Sequence, residues 1–121
     1  MSVPTPATDV RSRLQGALRA AMKERDTVAV SGLRSALAAI ANAEAVPLPP
    51  EPSRPEAGSE IRRRDVTENE ATRIAAAEAA EHRAAARDNR AAGHADRADR
   101  LVREADAIES ALYTAARRDD A

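Results

Sequence analysis

Two side chains in the second half of the chain have the types and the spacing of a metal or acid–base site. Glu78 and His82 lie four residues apart, which would place a carboxylate and an imidazole on one face of a helix. A carboxylate-bridged di-metal site in a helical bundle needs a second glutamate–histidine pair, which the sequence does not supply. We therefore predict that His82 is a solvated histidine beside a glutamate. His94 follows Gly93, and helix capping or exposure in a turn explains it.

Other catalytic patterns are missing from the sequence. It contains no cysteine, which excludes thiolate chemistry and disulfides and favours a reducing, intracellular compartment. Its four glycines form neither a G-x-S-x-G nucleophile turn nor a phosphate-binding loop. We predict no catalytic residue, no metal and no cofactor.

The densest basic run is IRRRD, with Arg62, Arg63 and Arg64. Such a run can contact nucleic acid phosphates, but Glu60 and Asp65 flank it and no aromatic side chain accompanies it for base stacking. The whole chain has 19 basic and 20 acidic side chains, a mixed surface without the strong positive field of a dedicated nucleic acid binder. The three arginines are candidate RNA contacts, and a solvated charge run is the alternative.

The segment LRSALAAIANAE combines an apolar stripe with polar residues that packing does not explain. Val30, Leu33, Leu37 and Ile40 recur at helical spacing, and beside them lie Arg34, Asn42 and Glu44. Arg34 could form a structural ion pair with Glu78 or Glu81, or it could contact a ligand. These three polar residues are candidate functional positions.

The elements that must position these residues are all helices. A first helix is expected from Thr8 or Asp9, and a second from a cap at Asp26 or Thr27 to about Ala45. Gly32 inside the second helix costs about 1 kcal/mol relative to alanine, which a close approach of helices could offset. The stripe of the first helix consists of Val10, Leu14, Ala17, Leu18, Ala21 and Met22.

The second half of the chain predicts another helical hairpin. Thr67 and Glu70 have the spacing of a capping box, and Gly93 suits a left-handed residue at the end of that third helix. Its expected core positions are Ile74, Ala77, Ala84 and Ala85. The fourth helix, opened by His94 or Asp96, has its stripe at Ala98, Leu101, Ala105, Ile108 and Leu112.

The predicted architecture is therefore one all-α domain without strands. A disordered tail (1–7) precedes a single domain (8–113), made of a hairpin (8–45), an extended, mobile Pro-rich linker (46–60) and a second hairpin (66–113), and a charged tail (114–121) follows. Alanine is the most frequent residue and there is no Phe or Trp, so the core is thin. No apolar run approaches the length of a membrane span, so a cytoplasmic protein is expected.

Most of the chain resembles the GatB/YqeY (YqeY-like) family. Residues 13–46 resemble its N-terminal helical hairpin, with matches at Leu14, Ala21, Met22, Lys23, Asp26, Leu33, Arg34, Ile40, Asn42 and Glu44. RRDVTENEA resembles the family's R-R-E-L-T-E-x-[DE] helix start, AEAAEHRAAARDNRAAG its charged helix, and ADRLVREADAIESAL its last helix. The resemblance covers about residues 8–113. A Pro-rich insertion is associated with short actinobacterial members, while Arg97 and Leu101 stand where typical members have Leu and Glu.

The resemblance implies a small non-catalytic helical module. It would be an accessory or adaptor in tRNA-dependent amidation or in translation, with amidotransferase or translation proteins, and tRNA, as possible partners. Family members are often labelled as carbon–nitrogen ligases with glutamine as amido-N-donor. The family's C-terminal domain, similar to the GatB tail and implicated in tRNA contact, lies beyond the region of resemblance. The alternative function is a tRNA- or RNA-binding module that uses Arg62, Arg63 and Arg64 with exposed arginines of the first and third helices.

Overall fold

Four α-helices account for nearly all of the residues that the structure describes. The computed structural model describes the backbone of residues 10–47, 61–63 and 66–119, and the side chains of residues 10–45 and 66–113. The helices are α1 (Val10–Lys23), α2 (Thr27–Glu44), α3 (Glu68–Ala91) and α4 (Ala95–Asp119). They pack as the hairpins α1–α2 and α3–α4, with α2 also against α3 and α4. The predicted all-α fold is confirmed.

Local capping chemistry sets three of the helix boundaries as predicted. The Asp26 carboxylate accepts the Ala29 N–H at 3.1 Å and caps α2. Thr67 and Glu70 form the reciprocal capping box that begins α3. Gly93, with φ of 86°, occupies the left-handed position after α3. These interactions lie within a few residues of each other, which is why the sequence reveals them.

The ends of the Pro-rich segment differ from the prediction. Ala45–Pro47 (β1) pairs with Ile61–Arg63 (β2) in a two-stranded antiparallel ribbon, with Val46 opposite Arg62. Only these two short segments depart from the expectation that there are no strands. The rest of the linker (48–60), the tail (1–7) and the candidate caps Thr8 and Asp9 lie outside the described residues. The helix α4 continues to Asp119, so most of the predicted C-terminal tail has helical backbone.

The core is built from alanine and a few larger aliphatic side chains. Its fully buried larger members are Val10, Leu14, Leu33, Ile40 and Ile108, and alanines of all four helices fill the space between them. Two predicted core positions are wrong, because Met22 is 51% exposed and Ala77 is exposed. The buried residues of α3 are instead Ala71, Ala75, Ala79 and Ala86, and both α2 and α4 pack against this helix. Leu37 and Val30 lie at the edge of the core and are half-buried.

Gly32 marks the closest approach of α2 to α4. A Cβ atom at this position would lie 2.6 Å from the Glu104 carbonyl oxygen and 3.0 Å from the Glu104 carbonyl carbon and Cα. Because these are backbone atoms, no side-chain rotation could make room. The structure therefore confirms the predicted close approach of helices at the glycine inside α2.

No helix in the described ranges is both long enough and apolar enough to cross a membrane.

Candidate functional site: a buried polar cluster

Five polar side chains meet where the helices α2, α3 and α4 pack together. They are Ser31 and Ser35 of α2, Glu78 and His82 of α3, and Glu104 of α4. The two pairs on α2 and α3 each have four-residue spacing, so both members of a pair project from one face. We refer to these five side chains as the polar cluster.

The cluster is a chain of contacts with His82 at its centre. Its Nδ1 lies 2.8 Å from the Glu78 carbonyl oxygen, which can only accept, so Nδ1 carries a proton and donates it. The same nitrogen is 3.6 Å from Glu78 Oε2, and Nε2 on the opposite side of the ring is 3.7 Å from Glu104 Oε1. The imidazole therefore stands between two carboxylates.

Each carboxylate also receives a hydroxyl group from α2. Ser31 Oγ donates to Glu104 Oε1 at 3.2 Å, and Ser35 Oγ donates to Glu78 Oε2. The serines are neutral, so they satisfy the carboxylate oxygens without offsetting their charge. The α2 serines, both α3 groups and the α4 glutamate thus form one hydrogen-bonded and electrostatic link across three helices.

The prediction of a solvated His82 is wrong. Its side chain is only 11% exposed, and Glu104 as a whole residue is 7% exposed. The spacing of Glu78 and His82 indicated their common face correctly, but it could not show that α4 covers this face. That cover depends on Gly32, which lets the backbone of α4 approach α2.

The geometry of the cluster differs from that of a metal or nucleophile site. The two ring nitrogens point at different carboxylates, whereas the ligands of one ion converge on a single point. Among the described residues, no group of three or more acidic or histidine side chains could hold a metal. The serine hydroxyls donate to carboxylates and not to the imidazole, so the arrangement lacks the nucleophile–base contact of a triad. What the cluster can do is bind three helices together.

The predicted polar positions of α2 have separate environments. Arg34 is exposed and forms no ion pair with Glu78 or Glu81 in the described part of the chain, so the first of the two alternatives, a structural pair, is not formed. Asn42 is also exposed. Glu44 pairs with Arg11 of α1 at 2.5 Å and so holds the ends of the first hairpin together.

The remaining candidates are the three arginines of the basic run and His94. Arg62 and Arg63 belong to β2, and their side chains, together with all of Arg64, lie outside the described residues. His94 is exposed just before α4. The two histidines of the chain therefore have contrasting environments, one buried in the cluster and one in solvent.

Arg83 forms a second link between α3 and α4, next to the polar cluster. Its guanidinium donates to the carboxylates of Glu109 and Asp106, the latter at 2.8 Å. Hydrogen bonds to Glu109 and then to Asp106 raise the pKa of Arg83 above its usual range. Arginine is charged at any physiological pH, so the contacts of Arg83 with Glu109 and Asp106 persist throughout that range.

A shallow groove of about 660 Å³ opens between α1, α2 and α4. Small apolar side chains form most of its wall, namely Ala17, Ala20, Ala21, Ala29, Leu33, Ala107 and Ala111, with charged groups such as Glu24 and Asp26 among the others. None of the lining residues belongs to the polar cluster. The titratable groups of the cluster and the apolar groove are therefore separate features.

Comparison of the chain with protein-family models, with curated proteins and with solved structures finds no match.

Proposed function

We propose that this chain is a small non-catalytic YqeY-like helical module. It acts in the cytoplasm as an accessory or adaptor in tRNA-dependent amidation with glutamine as amido donor, or in translation. The amidation or translation setting rests on the resemblance described above. The observation that carries the binding role is the position of Arg34 and Asn42, which project from α2 into solvent.

These two residues belong to one exposed strip, the outer face of α2, formed by Arg34, Ala38, Ala41 and Asn42. The opposite side of α2 is buried in the core through Leu33, Ala36 and Ile40. The outer face thus pairs a guanidinium and a carboxamide with two small side chains. The alanines let a partner backbone come close, and the fork of Arg34 suits a carboxylate. Contact with a protein segment that carries an acidic residue fits this pattern.

The interior supports a role without catalysis. The carboxylates of the polar cluster accept the α2 hydroxyls, and most of the described residues that line the groove between α1, α2 and α4 are alanines. A substrate pocket commonly brings perturbed titratable groups to the wall of a cavity. Here the buried histidine and its carboxylates hold helices together.

The test is capture of partners from host lysate with the tagged full chain, with and without ribonuclease, followed by mass spectrometry and RNA sequencing. A double variant, Arg34→Ala with Asn42→Ala, changes the outer face of α2 without touching the core. Arg97→Ala, at an exposed position in the first turn of α4, is the matched control.

Recovery of amidotransferase or translation proteins that survives ribonuclease, is lost in the double variant and persists in Arg97→Ala supports the proposal. Enrichment of tRNA that falls steeply with salt favours the RNA-binding alternative instead, since each phosphate contact releases counterions. Equal recovery of proteins by the wild type and the double variant contradicts the role of α2.

A further inference from the structure

Gly16, in the middle of α1, is a glycine that no contact within the described residues explains. A Cβ atom there would meet only the end of the Arg19 side chain, at the ordinary contact distance of 3.9 Å. Gly32 differs, because the backbone of α4 occupies the space that its Cβ would need. Glycine inside a helix costs about 1 kcal/mol relative to alanine. Its position in an open place is accounted for if a backbone from outside the chain comes close to it.

Gly16 lies on one wall of the apolar groove between α1, α2 and α4. The α1 residues of this wall recur every three or four positions and span about 16 Å of the helix. In chain order they are Arg13, Gly16, Ala17, Ala20, Ala21 and Glu24. The wall is therefore small and apolar in its middle, with a basic group at one end and an acidic group at the other. Ala20 and Glu24 are exposed to solvent.

The charges at the two ends of this wall make it complementary to itself. A second copy of α1, antiparallel to the first and centred on the middle of the wall, brings Arg13 of each copy to Glu24 of the other. A parallel copy would oppose like charges at both ends instead. Arg13 also lies 4.0 Å from Glu68 Oε2, and its five N–H donors allow it to contact a second carboxylate.

We propose that this groove is the interface of a two-fold symmetric dimer, in which α1 of a second copy lies antiparallel to α1. Gly16 and Ala20 allow the two backbones to approach closely, and two Arg13–Glu24 pairs set the direction. A pair of 14-residue helices is a small contact, so we expect weak association, with a dissociation constant of about 100 μM. The outer face of α2 contributes none of the described groove residues, so this proposal is independent of the adaptor role.

The test is analytical ultracentrifugation of the full chain from about 10 μM to about 1 mM, a range that brackets the expected dissociation constant. The wild type should change reversibly from monomer to dimer. Ala20→Gln places a long side chain on the exposed wall and should raise the dissociation constant by about tenfold or more. Ala77→Gln, the same substitution at an exposed position of α3 away from the groove, is the matched control and should leave it unchanged.

A charge swap tests the antiparallel register. Arg13→Glu and Glu24→Arg each oppose like charges in a homodimer, so each variant alone should associate more weakly than the wild type. An equimolar mixture of the two variants should form a heterodimer close to wild-type affinity, because both contacts again join an arginine to a glutamate. Circular dichroism checks that both variants fold. If Arg13→Glu does not fold, Glu24→Arg should still weaken the dimer more than Glu24→Gln does.

Several results would overturn the proposal. They are a wild type that stays monomeric throughout the range, an Ala20→Gln variant that dimerises like the wild type, and a loss of dimer in Ala77→Gln. A mixture of the charge variants that associates no better than either alone would also overturn it. At concentrations well below the dissociation constant the chain is monomeric, and Gly16→Ala then shows only its gain in helix propensity.

Discussion

Replacing Gly32 with alanine tests the close contact between α2 and α4 on which the buried cluster depends. In a helix, alanine is favoured over glycine by about 1 kcal/mol. Against this gain, the new methyl group would meet the Glu104 carbonyl oxygen at 2.6 Å and two further Glu104 backbone atoms at 3.0 Å. Overpacking of this kind typically costs about 1–3 kcal/mol. We expect a net loss of about 1 kcal/mol in the free energy of unfolding.

Gly16 offers the matched substitution with the opposite expected sign. It also lies inside a helix, and a Cβ there would meet only the end of the flexible Arg19 side chain, at 3.9 Å. Gly16→Ala should therefore keep the helix-propensity gain of about 1 kcal/mol. For a domain of this size, 1 kcal/mol corresponds to roughly 4 °C in Tm. The two variants should fall on opposite sides of the wild type, about 8 °C apart.

Differential scanning calorimetry on the three proteins gives the comparison directly. Gly32→Ala should also speed amide exchange around Glu104, because α4 must move away from α2 to admit the methyl group. If Gly32→Ala stabilises the protein as Gly16→Ala does, α2 and α4 are not in backbone contact and the reasoning about the covered cluster fails.

Three further predictions concern stability. Arg25 adopts a positive φ of 59° in the turn after α1, a conformation that costs a non-glycine residue roughly 1 kcal/mol. Arg25→Gly should therefore raise Tm. Gly93 holds the equivalent position after α3, so Gly93→Ala should lower Tm. Thr67→Ala should lose about 1 kcal/mol in urea unfolding by removing the capping box, and an unchanged midpoint would refute the role of that cap. Ile40→Asp should abolish cooperative unfolding by circular dichroism, because it puts an unpaired charge into the core, whereas Arg34→Ala should retain it.

Sequence reasoning succeeded where the physical cause is local. The caps at Asp26 and Thr67 and the left-handed Gly93 depend on hydrogen bonds or dihedral angles within a few residues, so they could be predicted from residue type and spacing. The core stripes of α2 and α4 were also located, because Leu33, Ile40 and Ile108 are large enough to mark a buried face.

The prediction was weakest on α3, where alanines leave few large apolar side chains to mark the buried face. On α3, alanines occupy several faces, and hydropathy alone could not distinguish the exposed Ala77 from the buried Ala75. The same limit applies to His82, whose burial depends on how α4 covers α3. Ser31 and Ser35 gave only the faint signal of four-residue spacing, since their partners are 73 and 43 residues away in the chain.

The hydrogen bond between the Glu68 carboxylate and the first residue of α1 predicts an order of folding. Both of its oxygens lie 3.1 Å from the Val10 N–H, so a residue 58 positions away binds the first amide of α1. The N-terminal end of α1 is therefore completed only after α3 has formed. The contact between Val10 and Glu68 closes a long loop, so it forms slowly. We expect the α3–α4 hairpin, rich in short-range contacts, to be structured in the folding transition state. Val10 should give a φ-value near zero, as expected for a helix end that docks late.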